Sequence, residues 1–343
     1  MGNGDLLGYQ GDFIVRCGKA GGFTRTARLP LPGIKRFLGH VRLASRILRV
    51  EPRVALEISP DCILLAWQRA VFAIDLSANS IIKVQEARAG FSDPLAISNG
   101  NGYVLAVWGD YGANNDAESV NIYGLNSMRE VVILHTFPAG TVRHVHNVVR
   151  RQRGGYYIFT GDMETASGIY LAREDFATVE PIATGDQRFR AVRGFDTSAG
   201  LIYATDSATT ENHVFLLDED ASCSPVDIGA INGPCIYGGE CSSGYLFTTT
   251  VEPDESLSGI RSLLSRRLGP GVKTRESQVL LAKSDAGLVE ISRFEGDALP
   301  MKLFQYGSLQ IPMGTAPEGQ VVAFARSLRK CDGRLVEIGS GKL

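Results

Sequence analysis

Several common signatures are missing from this sequence of 343 residues, and each absence narrows the reading. No apolar run approaches the ~18 residues that would mark a membrane-crossing helix. The opening residues, MGNGDLLGYQGDF, carry neither the basic nor the apolar block of a secretory leader, so a cytoplasmic location is expected. The six cysteines (Cys17, Cys62, Cys223, Cys235, Cys241, Cys331) show no CxxC spacing. Cys62 lies inside an apolar run and reads as a buried free thiol, and a large core does not require disulfides. Charge of one sign is also lacking: 35 Lys and Arg face 37 Asp and Glu, for a formal net charge of −2. That balance argues against a whole-protein nucleic-acid or membrane binder and leaves room only for local basic patches. Helical periodicity is almost absent.

What is present is a recurrence. Apolar, aromatic-rich runs flanked by turn residues open at Cys62 (CILLAW), Tyr103 (YVLAVW), Tyr156 (YYIFTG), Leu201 (LIYATD), Tyr245 (YLFTTT) and Gln320 (QVVAFA), at spacings of 41, 53, 45, 44 and 75 residues. That is the scale of one four-stranded propeller blade. Within a unit four strands follow in order, as in VHNVVRRQ, GYYIFTGD, SGIYLARED and TVEPIATG, with Gly154 and Gly155 at the first turn. The expectation is an all-β, six-bladed β-propeller of four-stranded antiparallel blades, forming one domain over residues 1–343. The last unit runs out before a fourth strand, and Asp12–Cys17 (DFIVRC) is expected to supply it and close the ring, abolishing a free edge.

Two stretches interrupt the repeat. Residues 1–52 hold the closing strand and then Gly33–Arg49, where Ile34, Phe37, Leu38, Val41, Ile47 and Leu48 fall at helical spacing among Lys35, Arg36, Arg42, Arg46 and Arg49. This reads as one helix packed on the barrel side, or as a basic amphipathic surface for a membrane or protein partner. Blades occupy 53–343 with an insertion over 255–277, read as a solvated or disordered loop or as a substrate-facing lid.

In a propeller, second-strand ends share a face with first-strand starts. The second strands end at Asp110-Tyr111, Asp162, Asp206 and Glu252, four carboxylates expected at one level. First strands open with Arg143-His144-Val145-His146, Arg188-Phe189-Arg190 and Tyr237. Alternation puts His144 and His146 on one strand face. One bowl of acids, imidazoles, guanidiniums and tyrosines is expected, with Asn114 in a polar loop beside it. The histidine pair reads as acid/base or substrate-contacting groups, as a structural pair, or as zinc ligands completed by Asp162 or Asp110. No third histidine lies at ligand spacing, so no metal and no cofactor are assigned.

The turns between third and fourth strands carry a family likeness. Asp175-Phe176-Ala177-Thr178 and Asp285-Ala286-Gly287-Leu288-Val289 resemble degenerate forms of the Asp-box turn, Ser-x-Asp-x-Gly-x-Thr-Trp, with its serine and tryptophan lost, and Asn126-Ser127-Met128 stands at the same place. From about Arg53 onward the chain thus resembles the sialidase-like Asp-box β-propellers, a superfamily rich in carbohydrate-active enzymes. The resemblance implies a tyrosine (Tyr237 or Tyr306) activated by Glu252, an acid at Asp110 or Asp162, and arginine clamps at Arg143, Arg190 and Arg193.

Three functions compete. A glycoside hydrolase acting on an acidic glycan would use Asp110, Asp162, Tyr237 and Glu252 for catalysis, with Tyr111, Asn114, Arg143, Arg190, Arg193, Asp206 and Tyr306 holding substrate. A polysaccharide lyase would use His144, His146 or Tyr237 as base and Arg190 against a uronate carboxylate. A non-catalytic propeller would bind a glycan or protein only. The expected partner is an acidic oligo- or polysaccharide and not nucleic acid.

Overall fold

The computed structural model of the protein describes residues 5–18, 22–218, 224–283, 287–315 and 321–338. It is all-β, and seven antiparallel sheets follow one another along the chain as the blades of a β-propeller. They divide between two compact units, one of residues 1–40 and 50–190, the other of 41–49 and 191–343.

In the first unit β1 (Leu6–Gln10), β2 (Phe13–Cys17) and β3 (Phe23–Arg28) form a three-stranded sheet, followed by helix α1 (Gly33–Gly39). Three four-stranded blades follow. The first is β4 (Val54–Ser59), β5 (Cys62–Trp67), β6 (Ala70–Asp75) and β7 (Ser80–Glu86); the next is β8 (Ser98–Asn99), β9 (Ala106–Gly109), β10 (Val120–Leu125) and β11 (Val131–Phe137). The third is β12 (His144–Arg150), β13 (Tyr156–Gly161), β14 (Gly168–Ala172) and β15 (Val179–Thr184).

The second unit begins with helix α2 (Arg42–Leu48) and resumes with β16 (Ala191–Thr197), β17 (Gly200–Thr205), β18 (Asn212–Leu217) and β19 (Val226–Ile231). Its next blade is β20 (Cys235–Cys241), β21 (Gly244–Thr249), β22 (Glu276–Lys283) and β23 (Gly287–Glu295), with α3 (Gly259–Leu264) between the second and third strands. Helix α4 (Met301–Phe304) leads to a sheet of β24 (Ser308–Gln310), β25 (Val321–Arg326) and β26 (Arg334–Ile338).

The apolar runs mark second strands because these are covered on both faces. Every residue of β5 and β13 is buried, whereas the outer strands β7 and β11 bury scarcely any. Each core is shared by adjacent blades: Leu64 and Ala66 pack with Ile97, Ala106 and Trp108, and Val107 and Ile122 pack with Val148 and Ile158. Burying each such aliphatic side chain contributes roughly 1.5–3 kcal/mol. First strands of successive blades touch within each unit, β4 with β8 and β8 with β12, then β16 with β20 and β20 with β24.

Seven blades replace the expected six. Phe13–Cys17 does not complete the last blade but is the centre of its own sheet, Phe13 pairing with both Gln10 and Arg28. Its flanking strands, LLGYQ and FTRTAR, are too polar to show as a run, and this hid the blade. The last sheet has three strands among the described residues. Gln320, at the head of the final run, and Cys223 lie outside the described residues; the other five cysteines are free thiols, and Cys62 is buried.

The basic amphipathic stretch is two helices rather than one, broken at His40 and Val41, where the Val41 backbone is extended. Its apolar positions do not form a packed face. Ile34 and Phe37 stay more than two-thirds exposed, and α1 buries nothing. The residue that α2 buries is Arg46, whose Nη1 lies 2.5 Å from Asp297 Oδ2 and 3.3 Å from Asp332 Oδ2, while Nε donates to the Phe304 carbonyl. The 255–277 insertion is ordered rather than disordered. Beyond α3 its backbone bonds to the neighbouring blade loop, Gly271 N–H to the Ala208 carbonyl and Lys273 N–H to the Asn232 carbonyl. No helix among the described residues is long and apolar enough to cross a membrane.

Breaking a buried charge cluster on one side strands the remaining charges. Arg46→Ala is therefore expected to destabilise the second unit by about 3–5 kcal/mol, read from chemical-denaturation midpoints.

Candidate functional site

The residues that converge lie in the first unit, where β12 meets β13 and the loop after β9. Along the β12–β13 ladder His144 faces Gly161 and Val145 faces Thr160, but Asn147 faces Phe159. His146 is thus the extra residue of a β-bulge, a device that re-aims a side chain out of strict alternation. The bulge belongs to the repeat. Strand β16 skips from Ala191 to Arg193 and β20 from Cys235 to Tyr237, leaving Val192 and Ile236 where β12 carries an imidazole.

Room for that imidazole comes from Gly161. A Cβ on residue 161 would sit 2.4 Å from His146 Cε1 and 2.7 Å from Nε2. The matching positions in the later blades hold Thr205 and Thr249. With the ring laid across Gly161, His146 Nε2 lies 2.9 Å from His144 Nε2 and 3.2 Å from Asp162 Oδ1, and His144 Nε2 is 3.4 Å from the same oxygen. Three donor atoms from three side chains close a small triangle. Both imidazoles are buried, at 2% and 1% exposure, while the Asp162 side chain is 38% exposed and forms the open side.

The far nitrogen of His144 settles its tautomer. Nδ1 lies 2.6 Å from the Gly112 carbonyl oxygen, which can only accept, so Nδ1 carries the proton and Nε2 turns a lone pair inward. The loop bearing that carbonyl is braced. A Cβ at Gly112 would come within 2.7 Å of Phe91 Cα, so glycine lets the two backbones approach. Asn114 donates to the Glu118 and Arg143 carbonyls, and Arg143 Nε donates to the Ala113 carbonyl. Asn114 and Arg143, expected to touch substrate, here hold the loop that orients His144.

Arg190 adds a cation, its Nη2 2.9 Å from Asp162 Oδ1 and its Nη1 donating to the Asp162 backbone carbonyl at 3.3 Å. Tyr111 packs against both imidazoles, ring centres 4.6 Å from His144 and 6.1 Å from His146, with the Arg53 guanidinium 5.0 Å from its ring centre. Burial pushes the His146 imidazole below its ordinary pKa, against the opposing effect of its hydrogen bond to Asp162. Burial also acts to raise the Asp162 carboxyl, but the His144 and His146 imidazoles beside it outweigh that and hold the group well below the usual carboxylate range. The cluster therefore offers an inward lone pair on His144 beside an anionic oxygen, with the Arg190 guanidinium against that oxygen. It can accept protons, neutralise an anion, or ligate a cation.

Asp110 is committed within its blade: Arg88 Nε donates to Oδ2 at 3.2 Å, the Asn121 N–H at 2.9 Å, and the Tyr123 hydroxyl to Oδ1 at 3.2 Å. Arg193, Asp206, Tyr237, Glu252 and Tyr306 all belong to the second unit. Burial lowers the Arg193 guanidinium pKa, and the Tyr237 carbonyl accepts from the Thr248 hydroxyl. The four carboxylates are not at one register. Asp110, Asp162 and Asp206 follow their strands directly, but that place in the β21 blade is Thr250, whose hydroxyl donates to Glu252 at 2.7 Å. Of the degenerate boxes, Asp175 does accept the Ala177 N–H in a tight turn, while Asp285 and Ala286 lie outside the described residues. Gly161 and Arg53 went unnoticed in the sequence. Aligning strand ends would have shown Gly161, which stands where Thr205 and Thr249 do.

No family model matches the chain, and no curated protein is similar to it. Solved structures share its fold. A protein from Lactobacillus plantarum superposes with a TM-score of 0.51 at 9% identity, over 95% of this chain and 90% of that one. A candidate 6-phosphogluconolactonase from Bacteroides uniformis gives 0.50 at 11% identity, over 95% and 90%. An oligogalacturonate lyase from Vibrio parahaemolyticus gives 0.47 at 10% identity, over 75% and 72%. The first two show the β-propeller fold alone, and the third, at that score, adds nothing to it. None points to the sialidase-like, Asp-box branch in particular.

If Gly161 is what admits His146, a methyl group there must expel the ring. Gly161→Ala is expected to cost about 1–3 kcal/mol and to move the His146 imidazole resonances in NMR spectra while those of His213 stay in place.

Proposed function

We propose that the protein is an enzyme acting on an acidic oligosaccharide, and that the His144–His146–Asp162–Arg190 cluster promotes β-elimination at a uronate. The observation that carries this reading is the make-up of the cluster: imidazole nitrogens beside an anionic carboxylate, with Arg190 on Asp162 and Arg53 over the neighbouring Tyr111 ring. A guanidinium at the open side of the cluster favours an anionic substrate, and a guanidinium fork suits a sugar carboxylate. In elimination, the C5 proton goes to the basic group that the cluster supplies, its electron pair forms the C4–C5 double bond, and the C4–O bond breaks with the leaving oxygen taking a proton.

Hydrolysis is less well supported. It needs a carboxylic acid able to donate a proton across from a second carboxylate. Asp162 faces two imidazoles and a guanidinium, and Asp110 is taken up by Arg88, Tyr123 and Asn121.

A panel of uronate-containing oligosaccharides, followed by ultraviolet absorbance and by new reducing ends, tests the reading. An unsaturated, ultraviolet-absorbing product is expected. His146→Ala should lower turnover by about 10²–10⁴, with His213→Ala unchanged. New reducing ends without ultraviolet absorbance would replace elimination by hydrolysis, and no cleavage of any uronate would overturn the enzyme reading.

A further inference from the structure

We propose that His144, His146 and Asp162 bind one first-row divalent transition-metal ion, zinc fitting best, through His144 Nε2, His146 Nε2 and an Asp162 carboxylate oxygen. Binding stands on the geometry alone, whereas the ion's part in elimination rests on the reading above.

Donor type, spacing and orientation all fit such an ion. Two imidazoles and a carboxylate are borderline donors that suit zinc and its first-row neighbours better than magnesium or calcium. Around a tetrahedral ion with metal–ligand bonds of about 2.0–2.1 Å, neighbouring donors stand about 3.3 Å apart. The three separations here are 2.9, 3.2 and 3.4 Å, so shifts of a few tenths of an ångström would admit the ion. Two imidazole nitrogens held tip to tip at 2.9 Å must otherwise share a proton with each other or with Asp162; an ion replaces that proton and satisfies both lone pairs.

Orientation is already in place. The Gly112 carbonyl fixes His144 with Nε2 inward, the partner a metal-bound imidazole commonly keeps on its other nitrogen. Gly161 leaves the cradle in which His146 lies, and burial behind Tyr111 excludes competing water from the two nitrogens. Asp162 is the exposed member, so the ion's remaining positions open where Asp162 meets solvent. Three protein ligands with an open position are the arrangement of a catalytic rather than a structural zinc.

This deepens the proposed elimination. A bound ion lowers the pKa of its water towards 7. An ion held by His144, His146 and Asp162 would thus supply a basic water for the C5 proton and a proton source for the leaving oxygen as the C4–O bond breaks. Arg190, beside Asp162, is placed to meet the sugar carboxylate.

The test is binding of Zn²⁺, and of Co²⁺ as a visible reporter, to metal-stripped full-length protein without sugar, by calorimetry and absorbance. One ion per chain is expected, unaffected by excess Mg²⁺. His146→Ala and Asp162→Ala should each weaken it by more than about tenfold, with His213→Ala binding as the unaltered chain does. Asp162 is partly exposed, so Asp162→Ala keeps the test valid should His146→Ala fail to fold. No stoichiometric binding, or binding that survives both substitutions, overturns the proposal. Binding as expected without cleavage of any uronate supports the ion site and counts against the elimination reading.

Discussion

His146 can reach Asp162 only because Gly161, over which its ring lies, has no side chain. That one steric allowance sets everything else at the cluster. It lets the bulged residue of β12 fold across the end of β13, it brings two imidazole nitrogens within 2.9 Å, and it turns the carboxylate that follows the strand toward both of them. The same bulge in β16 and β20 carries Val192 and Ile236 against threonine and has no such consequence. Three consecutive blades thus share an out-of-register residue, and in one of them His144, His146 and Gly161 replace apolar residues and a threonine to make a polar centre. A special site on a regular frame arises from local departures of this kind.

Around that centre, groups that resemble substrate contacts are in large part supports. Asn114 and Arg143 hold the loop whose Gly112 carbonyl orients His144, and Arg88 with Tyr123 keeps Asp110 within its blade. Buried polar groups are satisfied by such networks, and the satisfaction gives the functional side chains a single orientation. Charge follows the same logic in the second unit, where Arg46 is enclosed by Asp297 and Asp332 and two carbonyls rather than by water.

Much of the fold was legible because second strands are covered on both faces and must be continuously apolar, so CILLAW and YYIFTG announced their blades. The β1–β3 sheet was not legible: polar strands such as FTRTAR carry no such run, and the count fell one short. The helical spacing of Ile34 and Phe37 misled, since periodicity reports where apolar residues fall and not whether anything covers them. At the site, His144 and His146 lie together through a bulge rather than through strict alternation, and Asp162 directly follows its strand. What sequence could not show is the bulge register and the space above Gly161, which depend on packing between strands rather than on any one residue's chemistry. Glu252 was placed two residues off for the same reason: the position directly after β21 is Thr250.

The account's central claim is the convergence of three donor atoms with His144 locked as its Nδ1–H tautomer. Long-range ¹H–¹⁵N NMR of the imidazoles reads this directly. The account predicts a protonated Nδ1 on His144 and a pyridine-type Nε2, with both His144 and His146 resonances shifting on Asp162→Asn. A His144 protonated at Nε2 alone, or imidazole signals indifferent to residue 162, would contradict it.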